Sequence, residues 1–301
     1  MELTVADTGT ALDIRYADRP LVRYVYRPDD VQLESPRPYW HPVYTLDGDP
    51  VSLFRPHDHV WHKGIAWSLP HVGSENFWGG VTYTRDRGYV QLPNNGATVH
   101  RDFTRLAVDR GVGVAHTLDW LTEKGELWFT EDRSFTVSLA TGAWVLMFDT
   151  RMTNVSGQEI AIGSPTTHGR DNAGYGGLFW RGPRSFTGGT VIAPGVTGGD
   201  ELMGIRADWM GFTGRHDEHG RSSTVLFVDA PDNPGRQTQW FVRSEPYACI
   251  CPAPFFSAEV PVAPDATLHL RYAVVVADGD PGQDGAQSLA DAGLAALTSW
   301  R

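Results

Sequence analysis

The sequence predicts an all-β protein, a large antiparallel assembly with one C-terminal helix, and three observations predict it. Apolar and polar residues alternate with a period of two through most of the chain. The 33 glycines and 20 prolines among 301 residues supply many turns. A helical rhythm occurs in one segment alone, Gln283 to Trp300.

Taken in order, the first alternating runs are Leu12 to Tyr16 and Leu21 to Tyr26. Four long runs follow: Ala97 to Val108, Gly113 to Leu121, Glu126 to Leu139 and Trp144 to Met152. Turn chemistry bounds them at Asn94-Asn95-Gly96, Lys124-Gly125 and Asn154 to Gly157, so they read as a meander of long antiparallel strands. Thr224 to Asp229, Gln239 to Val242 and Leu268 to Val276 continue the pattern. In the last segment Leu289, Ala292, Leu294, Leu297 and Trp300 are spaced for one helical face. No internal repeat, Pro/Ser-rich linker or charge run divides residues 1–301, which predicts a single β-sandwich domain.

A formal net charge of −11, with basic residues scattered and nearly all arginine, argues against a nucleic-acid or anionic-membrane partner. No apolar run reaches eighteen residues; Ala143 to Phe148 and Tyr272 to Ala277 suit buried strands instead. The N-terminus lacks a basic segment followed by an apolar one, so the expectation is a soluble, cytoplasmic protein. Cys249 and Cys251, two apart on a strand-like segment, read as core thiols rather than a disulfide. The long edges of an open sandwich make a homodimer conceivable, although no residue specifies one.

Four of the eleven histidines fall between residues 57 and 71, amid aromatics, glycines and acids: His57-Asp58-His59-Val60-Trp61-His62-Lys63-Gly64, then Trp67, His71 and Asn76-Phe77-Trp78-Gly79-Gly80. Imidazole serves as base, acid or metal ligand near neutral pH, and Trp offers a platform for the apolar face of a sugar or other ring. This segment reads as the wall of a site. Thr166 to Pro183 reads as an ordered active-site loop, because five glycines keep the backbone irregular while His168, Arg170, Asp171, Asn172 and Tyr175 supply charge and donors.

Strand register adds a third group. On Glu126 to Leu139, Glu131 and Arg133 share a face with Phe129, Phe135, Val137 and Leu139, so two charges sit on an apolar face, either as a buried pair or lining a polar cleft. On the preceding strand His116 shares a face with Val112, Val114, Leu118 and Trp120, and reads first as a core histidine. From these groups, His62, Glu131 and His168 are the candidate acid-base residues. His59, Trp67, Trp78, Arg133, Arg170, Asn172 and Tyr175 are candidates for holding substrate. His57 and His59, two apart on an assumed strand, would form with His62 a candidate divalent-metal set.

The Asp58-His59-x-x-His62-Lys63-Gly64 motif followed by Asn76-Phe77-Trp78-Gly79 resembles the Asp-His-Pro-His-His-Arg-Gly and Asp-Phe-Trp-Gly signature of the bacterial PmoA-like family, whose members are labelled "methane oxygenase PmoA". Thr130-Glu131-x-Arg133, Gly174 to Arg181 and Leu270 to Val275 are also similar, and the resemblance extends from about residue 20 to about 280. Trp61 stands where the family has the first histidine of its pair and Asn76 where it has an acid, which leaves His59 and His62 as the transferable positions. The resemblance implies a β-sandwich of the galactose-mutarotase-like (supersandwich) type. It also implies a carbohydrate ligand, and hence an epimerase, lyase or glycoside-cleaving enzyme using His/Glu acid-base chemistry. A non-catalytic sugar-binding protein and a metal-dependent oxidoreductase or lyase are the alternatives.

Overall fold

The computed structural model describes residues 3–300. Two large antiparallel sheets dominate. The eight-stranded sheet runs, from edge to edge, Leu3–Asp7, Ala11–Tyr16, Arg19–Val25, Tyr39–Val43, Ile65–Ser68, Gly177–Arg181, Cys249–Ala253, Gln239–Arg243. The nine-stranded sheet runs Val196–Gly198, Thr190–Ala193, Trp209–Arg215, Ser222–Asp229, Thr267–Asp278, Ala143–Asn154, Leu127–Ala140, Val112–Leu121, Ala97–Val108. The expected meander is present, its ladder closing tightly at Ala140 against Ala143.

The inward faces of the two sheets share one apolar core. Trp40, Trp67, Trp120, Trp144, Trp180 and Trp240 are all completely buried there. Each removes roughly 150–250 Å² from water, which at about 25 cal/mol per Å² is several kcal/mol per residue. Alternation places Leu178 and Trp180 in this core and turns Phe179, between them, to the opposite face.

The helix, Gly282–Ser299, lies on the outer face of the nine-stranded sheet, against Val145, Leu226, Val228, Ala273 and Val275. Its contact stripe is Ala286, Ala290, Gly293 and Leu297, whereas Leu294 is exposed, so small residues make most of the seam and only one of the three expected leucines is fully buried in it. A Cβ on Gly293 would lie 2.9 Å from Val228, so the absence of a side chain there sets how closely helix and sheet approach. No helix among the described residues is long and apolar enough to cross a membrane. Both cysteines are free and buried, on one face of the strand Cys249–Ala253.

Candidate functional site

The outer face of the eight-stranded sheet carries Phe179, Phe241, Cys249 and Cys251, and three loops fold over it. The first is the histidine-rich segment, which forms two consecutive turns rather than a strand: His59 N–H donates to Pro56 O and His62 N–H to His59 O, both at 2.9 Å. Spaced three apart around these turns, the rings of His59 and His62 stack with centroids 4.7 Å apart and planes 17° from parallel. His57 stays outside, exposed, its Nδ1 accepting from Arg184 at 3.1 Å.

Together with Trp61, the stacked pair forms one wall of a cavity of about 320 Å³. Trp78, Val81 and Tyr89 come from the second loop, Arg170 and Tyr175 from the glycine-rich third, and Phe179, Phe241, Arg243 and Tyr247 from the sheet and its margin. Trp78 sits 4.7 Å from Tyr175 and edge-on to Phe179 at 4.8 Å, giving a continuous aromatic lining. Gly79 and Gly80 adopt φ of +101° and +68°, and a Cβ on Gly80 would lie 2.6 Å from the Trp61 indole, so only glycine lets that ring settle. Asn76 ties the loop down. Its Oδ1 accepts from the amides of Trp78 at 2.8 Å and Gly79 at 2.9 Å, while Nδ2 donates to Thr82 Oγ1 at 3.0 Å.

Arg181 lies behind this wall, completely buried, with its guanidinium 3.8 Å from the Tyr247 ring. Its Nη1 donates to His62 Nδ1 at 3.2 Å, while Nε and Nη2 have no hydrogen-bond partner among the described residues. A guanidinium only donates, so His62 Nδ1 must accept and the ring proton resides on Nε2. Burial, followed by the nearby His59 and Arg181, pushes His62 well below its ordinary value, so it is neutral at pH 7.

His59 has a different neighbour. Asp58 Oδ2 is 3.2 Å from His59 Nδ1, an ion-pair separation whose angle falls short of a formed hydrogen bond. Burial lowers His59, against the pull of Asp58. Burial works to raise the Asp58 carboxyl, yet His59, its own amide and Arg184 hold it well below the usual carboxylate range. Beside this carboxylate the electrostatically favoured tautomer of His59 carries its proton on Nδ1, toward Asp58, which leaves Nε2 to accept.

Several expected site residues lie elsewhere. Glu131 and Arg133 are completely buried between the sheets, bonded at 2.7 Å, with Trp120 Nε1 and Thr150 Oγ1 also donating to Glu131 at 2.7 and 2.8 Å. The second sheet covers the face on which a cleft was expected, so this carboxylate reaches no substrate. His116 is in the same core, 2.9 Å from Tyr24 Oη and from His100 Nδ1. Trp67 is a core residue whose Nε1 faces Met152 Sδ at 3.3 Å. His168 stacks on His71 at 3.8 Å and faces Glu259 at 3.2 Å, outside the cavity lining. Asn172 is exposed at φ +54°, away from the lining.

The metal expectation is also corrected. Among the described residues no three His, Cys, Asp or Glu side chains converge as ligands. Lone pairs lie in the ring plane, so stacked imidazoles do not aim at a common ion, and His57 is engaged by Arg184. Conversely, Tyr89, Phe179, Phe241, Arg243 and Tyr247 line the cavity without having been singled out. Phe179 lies on a five-residue strand buried on both faces, Tyr89 on a three-residue strand and Tyr247 in a loop, so none of them carries a periodic signal.

A second depression, of about 610 Å³, lies on the outer face of the nine-stranded sheet beside the helix. Its central Asp149 is matched by His269 at 2.9 Å, Arg151 at 3.4 Å and Arg271 at 3.6 Å.

No functionally curated protein matches this chain. Among solved structures it is similar to the GH36 α-galactosidase AgaA from Geobacillus stearothermophilus in complex with raffinose, with a TM-score of 0.42 and 11% identity, covering 96% of this chain and 42% of that one. The chain thus spans less than half the length of that enzyme. It is also similar to a galactose mutarotase related enzyme from Lactobacillus acidophilus, with a TM-score of 0.35 and 10% identity over 91% of this chain and 97% of that one. Residues 11–291 match the model of one protein family, and the chain therefore belongs to DUF6807, a family of unknown function.

Proposed function

We propose that the cavity binds a single sugar ring and that the protein is a carbohydrate-active enzyme using imidazole acid-base chemistry. One observation carries this reading: the stacked pair presents two neutral imidazoles of opposite polarity, His59 with an accepting Nε2 and His62 with an Nε2–H, inside an aromatic lining. Trp78 and Trp61 are part of the lining, an indole suits the apolar side of a sugar ring, and about 320 Å³ is at the small end of ligand sites. The histidines that the PmoA-like signature carries over are the same two.

In this reading His59 removes a proton from the bound sugar, its ring held by Asp58, while His62 Nε2–H supports the oxygen on which charge develops. Epimerisation and elimination both begin in this way. Glycosidic cleavage by paired carboxylates is not supported, because no Asp or Glu among the described residues lines the cavity. Glu131 has no part in the chemistry.

The test is ligand-observed NMR with a panel of monosaccharides and their oxidised derivatives, followed by product analysis on whichever binds. His59→Asn is expected to retain binding and lose about 10²- to 10⁴-fold in turnover. Trp78→Ala is expected to lose roughly tenfold or more in affinity. Turnover unchanged in His59→Asn sinks the mechanism, and tight binding without conversion over hours leaves a sugar-binding protein.

A further inference from the structure

We infer that the ring taken by this cavity carries a carboxylate, and that Arg170 and Arg243 receive it. The inference rests on the sugar-binding reading above and deepens it.

The first argument is an inventory of donors and acceptors. Among the described residues no Asp, Glu, Asn, Gln, Ser or Thr side chain lines the cavity. Donors are plentiful: two guanidinium groups, His62 Nε2–H and three tyrosine hydroxyls. Side-chain acceptors come down to one imidazole nitrogen on His59 and the phenolic oxygens, of which Tyr89 and Tyr175 are already bonded to each other at 2.9 Å. Exchanging a sugar's exocyclic CH2OH for a carboxylate removes one O–H donor and adds charged acceptors, which suits a lining rich in donors and poor in acceptors. A carboxylate brings acceptors only.

The second argument is charge. Arg170 lies 4.6 Å from the centroid of the Tyr89 ring and donates to the Tyr89 hydroxyl, and no carboxylate is within ion-pair distance of it among the described residues. Arg243 is paired at 3.5 Å with Asp200, which lies outside the cavity lining. Arg181 adds a buried cation with two unpartnered nitrogens behind the wall, and Arg184 is shared with Asp58. Four guanidinium groups thus face two carboxylates, Asp58 and Asp200, in a chain whose formal net charge is −11. Such a local excess of positive charge draws an anion inward. The planar fork of arginine matches a carboxylate in two-point geometry.

Calorimetric titration of the full chain with matched ligands tests this: galactose and glucose, their uronates, and their 6-phosphates. The uronates are expected to bind at least about tenfold tighter than the parent sugars, with the advantage shrinking as salt rises from about 0.05 to 0.5 M. In an Arg170→Gln/Arg243→Gln variant, checked for an unchanged melting temperature, uronate and parent sugar should bind alike. Equal affinity in the native protein, or an advantage that survives in the variant, overturns the inference. Tighter binding of the 6-phosphates overturns the carboxylate assignment. If neutral sugars bind through Trp78 without any uronate preference, only this inference fails; if no ring binds, the sugar reading itself has failed.

Discussion

The imidazole of His59 lies face to face with that of His62, 4.7 Å between centroids, because two successive turns bring residues three apart onto one side of the loop. Proton uptake is opposed at both rings by burial and by Arg181, and at His62 also by His59, while Asp58 partly offsets this at His59. The pair is built to be neutral.

Stability should therefore fall in acid. His41, His59, His62, His71, His100, His116 and His216 all have folded values below 6.5, with burial the leading cause in each. Below about pH 6.5 the unfolded chain takes up protons that the folded chain refuses, so stability is full above that pH and declines beneath it. The decline continues to about 4 for His41 and about 3 for His71. Each fully buried histidine contributes up to roughly 1.4 kcal/mol per pH unit. Asp229, raised to about 6 by burial, works in the opposite sense between about 6 and 3.8, as do Glu75 and Asp278, also raised by burial, but these are three groups against seven. Urea midpoints from pH 7.5 to 5 should drop steadily, and less steeply in His71→Leu; a flat profile refutes this account.

Glu131→Gln should destabilise the fold by about 3–5 kcal/mol, because it leaves the Arg133 guanidinium buried without its counter-charge. Replacing both, as Glu131→Leu with Arg133→Met, should cost much less. Urea unfolding of the single and double variants checks this, and ligand affinity of the folded single variant should be unchanged. A loss of affinity without a loss of stability would return Glu131 to the site.

Gly80→Ala should shift Trp61. The new Cβ meets the indole at 2.6 Å and the backbone is held at φ +68°, a combination expected to cost about 1–3 kcal/mol. Gly48→Ala, at φ +97° with no heavy atom within 4 Å of the new Cβ, is the control for backbone strain alone. Tryptophan fluorescence should change in the first variant and not in the second.

The Asn76 side-chain amide does two jobs. Asn76→Asp preserves the acceptor for Trp78 N–H and Gly79 N–H but loses the donor to Thr82, whereas Asn76→Ala loses both. The alanine variant should be the less stable by about 1–3 kcal/mol in urea unfolding. Equal stability would mean that the two amide bonds contribute nothing measurable.

Much of this architecture was legible in the chain. The run predicted at Ala97 to Val108 is the strand observed, and Glu126 to Leu139 is displaced by one residue at each end, because long strands alternate over enough residues for the period to be unmistakable. Short strands such as Ile65–Ser68 and Gly177–Arg181 were not, since four or five residues buried on both faces show no alternation.

Sequence alone grouped His59, His62, Trp61 and Trp78 only as neighbours along the chain, of which Trp78 reaches the cavity from a different loop, and it determined that Glu131 and Arg133 share one strand face. Whether that face met solvent was decided only in three dimensions. Tyr24 in the opposite sheet reaches Arg133 across 109 residues of sequence and seals it in. In the same way Tyr89, Arg170 and Tyr247 converge on the histidine wall from three separate segments. Alternation states which side chains point together; what covers them depends on elements distant in sequence, and so burial, and with it the chemistry open to each charged group, belongs to the tertiary structure.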